Sequence, residues 1–566
     1  MKFNDMPYVR PDFEAAKKKV SALTERFAAA KSFEEADGLF LEMNELSAKL
    51  DTMFSIAYVR HSIDTADEFY DSEMKYLDEQ SPLLQEYFQG WTNALLASPL
   101  RPQLEEKYGR LLFVNAEMSL KTFSPEIIGE LQRESRVEAD YVKLIASAQI
   151  PFEEKTYTLS QLSPLKQDTD DARRRAAWDA EGRFYDENGE KLDEYYDELV
   201  RLRDTMAKKL GYESYVTLGY YRMTRNSYTM EDVERFRRAV VKYVVPVADR
   251  IYRQQAARTG SAYPLTFADA ALMFRSGNAK PQGAPEDILA HGRRFYHELS
   301  PETAEFIDFM YDNELLDVLS RKGKAAGGYC TGLPEYKAPF IFANFNGTSH
   351  DVEVITHEAG HAFAGYTARD IVPLENQSPT LESCEIHSMS MEFFAWPWEE
   401  GFFGRDTDKF YYSHLAGALT FIPYGTLVDH FQHVVYEKPQ LTPEERHGVW
   451  RELLGIYMPW MKLGEIPFYG EGKGWQRQTH IYRRPFYYID YCLAQTVALQ
   501  FWALMMRDRS VAWQAYMRLV RLAGTKTFTE LVAAAGLDSP FGDGALETVC
   551  AAANEWLDGF DAEKLK

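Results

Sequence analysis

The chain has 566 residues, of which 45% are hydrophobic and 26% charged, with a formal net charge of −23. That length supplies ample core and allows several domains, and the composition is that of an ordinary globular protein. The acidic balance excludes nucleic acid as a partner, because no basic excess exists to neutralise phosphates, and no apolar run approaches the length of a membrane-spanning helix.

Met1 to Pro7 lacks the apolar core of a secretion signal, and the four cysteines, Cys330, Cys384, Cys492 and Cys550, include no CxxC pair. Both features lead us to expect a cytoplasmic protein. Residues 1–103 read as an N-terminal helical region. Phe13, Val20, Leu23 and Phe27 fall on one helix face. Ser32 and Glu35 form a capping box ahead of Ala36, Leu39, Phe40, Met43, Leu46 and Leu50 at helical spacing. The pattern continues over 58–96 and meets the break Ser98-Pro99-Leu100-Arg101-Pro102.

Residues 104–229 form a second helical region. Ser124-Pro125-Glu126 signals a helix start, and Ile150-Pro151-Phe152 a break, with 155–162 a small strand pair or a loop. Charged helices are predicted over 168–185 and 189–209, the second ending ahead of Gly211. Residues 230–566 form the third region, opening with a long helix over 230–257 that Pro246 should kink. Its stripe of Phe236, Val240, Tyr243 and Val247 reads as core.

The convincing non-helical stretch is 323–348, with Gly327-Gly328 and the β-prone run Phe340 to Phe345. It lacks a GxxxxGK[ST] phosphate loop, so it reads as a small sheet. The run is either an edge strand that pairs with an extended peptide through Phe342, Ala343 and Asn344, or an ordinary buried hairpin. It leads into His357-Glu358-Ala359-Gly360-His361. On a helix, residues four apart lie on one face, so His357 and His361 can reach one Zn²⁺ ion with Glu358 beside it. Thr348, Ser349 and Asp351 are candidate caps, and Val352, Ile355, Ala359, Ala362 and Phe363 supply the apolar face. The bland alternative is a buried helix whose two histidines only hydrogen-bond.

Further along, 369–380 is a loop with two prolines, 381–396 a helix stopped at Pro397, and Thr442-Pro443-Glu444-Glu445 another capping box. Residues 464–474 are a glycine-rich and aromatic loop, and 486–506 a long apolar helix. A catalytic zinc site needs a third protein ligand and one open position. The HExxHxxGxxH continuation fails, since Ala364 and Thr367 stand where Gly and His are required. A glutamate from another helix is the alternative, from Glu375, Glu382, Glu385 or Glu392. Glu385 and Glu392 share a face with Ile386, Met389 and Phe393, where unpaired acids are costly unless something such as a metal, or ordinary salt bridges, compensates them.

His357 to His361, followed by Glu385-Ile386-His387-Ser388-Met389-Ser390-Met391-Glu392, resembles the thimet oligopeptidase and oligoendopeptidase F family of zinc peptidases. The resemblance extends upstream to Gly327 and downstream through His480-Ile481-Tyr482-Arg483-Arg484-Pro485-Phe486-Tyr487-Tyr488-Ile489-Asp490-Tyr491, covering roughly 320–495. It is closest to the oligoendopeptidase F branch, including bacterial members that cleave collagen peptides. It implies a mainly α fold, a large helical body divided by a deep substrate channel, with 104–229 in the channel wall and a small β-sheet beside the zinc. It implies His357, His361 and Glu385 as zinc ligands, Glu358 as general base, and Glu353 and Glu392 as acids behind them. His480, Tyr488 and Tyr491 would hold substrate and oxyanion, with Tyr487 competing with Tyr488 because the spacing from His480 differs by about one residue from the thimet branch. The activity implied is endopeptidase cleavage of short unfolded peptides. A carboxypeptidase or dipeptidyl carboxypeptidase on the same scaffold would need a cationic pocket for the terminal carboxylate, for which Arg483 and Arg484 are the only tempting pair. A non-catalytic helical peptide-binding protein would have no need of Glu358. No oligomeric state follows from the sequence.

Overall fold

Caps written into the sequence start the helices of the first hundred residues. Asp12 accepts from Ala15 N and Ser32 from Glu35 N, opening helices Phe13–Ala29 and Phe33–Ile63. The predicted faces are buried, with Phe13, Val20, Leu23 and Phe27 inward on the first and Leu39, Phe40 and Met43 on the second. The Glu35 side chain reaches Lys31 N rather than closing the reciprocal box on Ser32. The helical stretch expected over 58–96 is interrupted at Asp67, which caps a new helix, Glu68–Ala97.

The computed structural model describes residues 1–565. Its architecture is mainly α, with a two-stranded and a three-stranded sheet among the described residues. The smaller sheet pairs β1 (Ile150–Phe152) with β2 (Lys155–Tyr157), so the strand pair expected within 155–162 forms instead across the break itself, and Leu159–Leu162 is a short helix. The helix expected over 230–257 is two segments, Met230–Ala239 and Val245–Thr259, joined by a π-type stretch over Val240–Val244. Pro246 lacks an amide hydrogen, and the widened turn ahead of it absorbs the missing bond before the proline rather than at it. Gly211 takes φ +84° just past helix Gly189–Lys209, the left-handed position for which a glycine suits.

The larger sheet has the order β3 (Leu316–Leu319), β5 (Ala338–Phe345), β4 (Tyr329–Leu333). β5 runs parallel to β3, with Leu316 beside Ile341, and antiparallel to β4, with Cys330 beside Ile341. This corrects the edge-strand expectation: β5 is the central strand, buried on both faces, and its backbone is already paired. Phe342 stacks on Tyr329, Ala343 O accepts from Lys324, and the Asn344 amide donates to Ala325 O and Gly327 O, each at 2.8 Å. None of the three offers a free edge to a peptide.

From β5 the chain turns at Gly347 (φ +82°) into helix His350–Ala368. That helix packs on Leu381–Phe394, which packs on Tyr488–Arg507, which packs in turn on the long helix Thr407–Glu437. The largest apolar cluster runs through all of these and reaches back to Phe3, while a separate cluster lies within residues 20–113. No described helix is long and apolar enough to cross a membrane.

Candidate metal centre

The Asp351 carboxylate accepts from Asn346 N and Gly347 N, both at 2.8 Å, and ties the turn to the helix start. Ser349 sits at the cap position without a side-chain bond, so of the expected caps it is Asp351 that holds the turn. With Val352, Ile355, Ala359, Ala362 and Phe363 facing the core, His357 and His361 come onto one face with ring centroids 5.0 Å apart.

Glu385 reaches them from helix Leu381–Phe394. Its Oε2 lies 3.2 Å from His357 Nε2 and 3.3 Å from His361 Nε2. Among the described residues, His357, His361 and Glu385 are the group of His, Cys, Asp and Glu side chains whose ligand atoms cluster within 4.8 Å. Ligands about 2.1 Å from a tetrahedral ion stand about 3.4 Å apart, so these atoms fit one four-coordinate ion with a position left open. The other candidates lie elsewhere. Glu375 accepts from Asn44 at 2.9 Å, and Glu382 lies 3.5 Å from Arg225.

Glu392 holds His357 from behind, its Oε1 2.6 Å from Nδ1, while its Oε2 accepts from His414 Nε2 at 2.9 Å. Burial alone would raise the Glu392 carboxyl, but the bonds from both imidazoles outweigh it and hold it at about 2. It therefore stays ionised and fixes which His357 nitrogen faces the site. Glu353, expected to share that task, pairs with His350 at 3.6 Å instead. His414 lies on another helix at no ligand spacing, so nothing in the sequence signals this contact.

Glu358 points from the same helix into the space beside the ligands. It is buried at 8% exposure, and burial raises its carboxyl, partly offset by His357 and His361. A Cβ on Gly328 would stand 3.6 Å from Glu358 Oε1 and 3.3 Å from Phe342 O, so the glycine lets the loop before β4 approach the base.

The remaining groups come from residues 478–491. Gln478 accepts from the Tyr424 hydroxyl at 2.9 Å and donates its amide to His480 Nδ1 at 2.9 Å. His480 Nε2 then carries the proton, 3.3 Å from the Tyr491 hydroxyl. Burial lowers His480 to about 4, so it is a neutral donor at pH 7. Of the two competing tyrosines, it is Tyr487 whose hydroxyl donates to Glu385 Oε1. Tyr488 packs against the His480 and Tyr491 rings at 5.0 and 5.4 Å, with Phe421 and Tyr424 on its other sides at 5.8 and 5.9 Å. The helix expected from Phe486 begins at Tyr488, and Phe486 adopts φ +67°.

Residues 3–123 match the Peptidase M3 N-terminal domain and 303–550 match Peptidase family M3. A structure provisionally assigned as an oligoendopeptidase F is 46% identical, covers 99% of each chain and superposes with a TM-score of 0.97. PZ peptidase A with an inhibitor is 45% identical, covers 100% of each chain and gives 0.98. A structure with the same provisional assignment from Bacillus anthracis str. Ames is 45% identical over 100% of this chain and 99% of its own, at 0.93. None of the curated proteins compared matches.

Proposed function

The chain belongs to peptidase family M3, and from that premise we propose that it is a zinc-dependent endopeptidase of the cytoplasm that hydrolyses internal bonds of short unfolded peptides. The observation that carries the zinc reading is the Glu385 carboxylate standing 3.2 and 3.3 Å from the inward nitrogens of His357 and His361. Zinc bound by these atoms would supply a Lewis acid that acidifies water and polarises a carbonyl.

The chain's own residues would do the rest. Glu358 takes a proton from water at its carboxylate and delivers it to the leaving amine. Its burial keeps it a stronger base than an exposed glutamate. His480 Nε2–H and the Tyr491 hydroxyl donate toward the oxygen that gains charge, and one such donor is typically worth about 3 kcal/mol. Tyr487 steadies Glu385, and Glu392 steadies His357. Short peptides fit this reading because the base is buried and the donors half-buried within a helical body, where a folded substrate has little access. The channel implied by the family, with 104–229 in its wall, belongs to the same proposal.

The test is turnover of an end-blocked, internally quenched peptide by wild type, Glu358→Gln and Glu385→Ala, with zinc content measured on the same samples. We expect wild type to hydrolyse it with stoichiometric zinc, Glu358→Gln to keep zinc and lose hydrolysis, and Glu385→Ala to lose both. Equal rates in wild type and Glu358→Gln would overturn the assignment of the base.

A further inference from the structure

A row of donors runs from Arg477 to His480, and its first member fixes the direction of the rest. The Arg477 guanidinium lies against the Tyr424 hydroxyl oxygen. It stands 5.6 Å from the centre of the Tyr469 ring, and Glu181, which also pairs with Lys166 Nζ at 2.6 Å, offsets part of its charge. A guanidinium only donates, so the Tyr424 oxygen accepts from Arg477 and must turn its own hydrogen elsewhere.

Among the described residues, the other hydrogen-bond partner of that hydroxyl is Gln478 Oε1, at 2.9 Å. The hydrogen therefore goes to Gln478, whose amide accepts on this side and donates on the other. Gln478 Nε2 lies 2.9 Å from His480 Nδ1 and also faces the Tyr488 hydroxyl oxygen. The opposite amide orientation would set the NH2 group against Tyr424 and leave the hydroxyl hydrogen without an acceptor, the costly arrangement. His480 Nδ1 thus accepts. Since burial keeps the ring neutral, its one hydrogen is on Nε2, 3.3 Å from the Tyr491 hydroxyl. Tyr491 can donate or accept, so it does not choose the tautomer by itself. The charges of Glu385 and Glu358 both reach Tyr491, which puts this end of the row at the candidate centre.

We infer that Arg477, acting through Tyr424 and Gln478, locks His480 in the Nε2–H form, so that the hydrogen offered to the oxygen gaining charge in peptide hydrolysis is in place before the substrate arrives. The inference rests on the peptidase reading and deepens it. Arg477, Tyr424 and Gln478 are positioning residues, each acting through the next. A donor aligned beforehand needs no reorganisation at the moment charge develops, which is where such a bond contributes most. A His480 carrying its hydrogen on Nδ1 would meet the same oxygen with a lone pair and repel it.

The experiment reads the tautomer directly. Zinc-loaded protein with nitrogen-15-labelled histidine is examined by NMR, which separates a ring nitrogen bearing hydrogen from a bare one, and the His480 signals are identified by their loss in His480→Gln. We expect wild type to show hydrogen on Nε2 and a bare Nδ1. Gln478→Glu puts an acceptor where the amide donated, and should move hydrogen onto Nδ1, as the other tautomer or as imidazolium. Arg477→Gln gives residue 477 an acceptor of its own, so Tyr424 and Gln478 are free to turn round and a mixture of tautomers should appear. Tyr424→Phe cuts the row and should give the mixture too, whereas Arg477→Lys remains a pure donor and should keep the single form. A bare Nε2 in wild type, or a fully bare Nδ1 retained in Gln478→Glu or in Arg477→Gln, overturns the inference.

Turnover of the quenched peptide by the same proteins is the second readout. Gln478→Glu keeps hydrogen on Nε2 only while His480 is imidazolium, so its kcat relative to wild type should fall as pH rises, by up to about a hundredfold, the lower end of the range for a lost oxyanion donor. KM and zinc content should stay close to wild type, because the bond is made to charge that only the transition state carries. A kcat ratio independent of pH, or a change confined to KM, would overturn the inference. If wild type hydrolyses nothing, the peptidase reading fails on its own, and the NMR result still decides whether the row sets the tautomer.

Discussion

At the residue scale, the division of labour between Glu353 and Glu392 is decided by a contact. Both are acids near His357, but only Glu392 touches its outward nitrogen, at 2.6 Å, and His414 anchors that carboxylate in turn. A carboxylate in this position orients the ring and makes it a better ligand. Glu392→Gln should weaken zinc affinity by about 10- to 100-fold, read by competition with a chelator, while Glu353→Gln should change it little. An equal effect of the two would show that the contact does not govern affinity. The two histidines are legible in the sequence as a pair four apart, whereas Glu385 is singled out from four candidate acids only by the family resemblance, because which acid meets the pair depends on how a second helix packs. His414 is not legible, since it meets Glu392 across two helices. Nor is the contact of Tyr487 with Glu385, which follows a left-handed backbone at Phe486 that the sequence does not signal.

At the element scale, the centre exists because two helices come unusually close. A Cβ on Gly360 would stand 2.7 Å from Ser388 Cα and 2.8 Å from His387 O, both backbone atoms that cannot swing aside. The glycine lets helix His350–Ala368 approach helix Leu381–Phe394 until Glu385 reaches both histidines. Gly360→Ala should therefore push the helices apart, costing about 1–3 kcal/mol of stability and weakening zinc binding. Gly365→Ala on the same helix is the control. Nothing lies within 4 Å of its Cβ position, and alanine gains helix propensity there, so stability should hold or rise by up to about 1 kcal/mol. Thermal unfolding and chelator competition on the two variants check the pair. In the sequence Gly360 is an unremarked helix glycine, since close approach belongs to the partner's backbone. The strand error has the same origin. The run 340–345 was correctly extended, but the strand that pairs with its other side, Leu316–Leu319, precedes it across a loop and gives no sign of parallel pairing.

At the scale of the whole molecule, Arg225 joins the first half of the chain to both helices of the site. It sits between helices Tyr215–Arg222 and Met230–Ala239, 2% exposed, and bonds Asp490 on the tyrosine helix while lying 3.5 Å from Glu382 on the Glu385 helix. Its second amino group donates to Phe486 O at 2.6 Å, and Gln432 accepts from Phe486 N at 3.0 Å. The left-handed backbone at Phe486, costly for a phenylalanine, is thus held from both sides, one residue before Tyr487. Burial pushes both Asp490 and Glu382 up against the pull of the one cation, so Arg225 meets the charge that the two acids keep. Arg225→Met should cost about 3–5 kcal/mol, the usual result of stranding a buried charge, read by urea unfolding. Arg225→Lys separates the two duties. It keeps the charge near the carboxylates but loses the planar fork that also reaches Phe486 O. We expect Arg225→Lys to recover most of the stability while leaving zinc affinity and kcat below wild type, because Tyr487 and hence Glu385 are less firmly placed. Wild-type zinc affinity and kcat in Arg225→Lys would confine the residue to charge balance, and the alignment of the tyrosine helix would then have to come from its apolar packing alone.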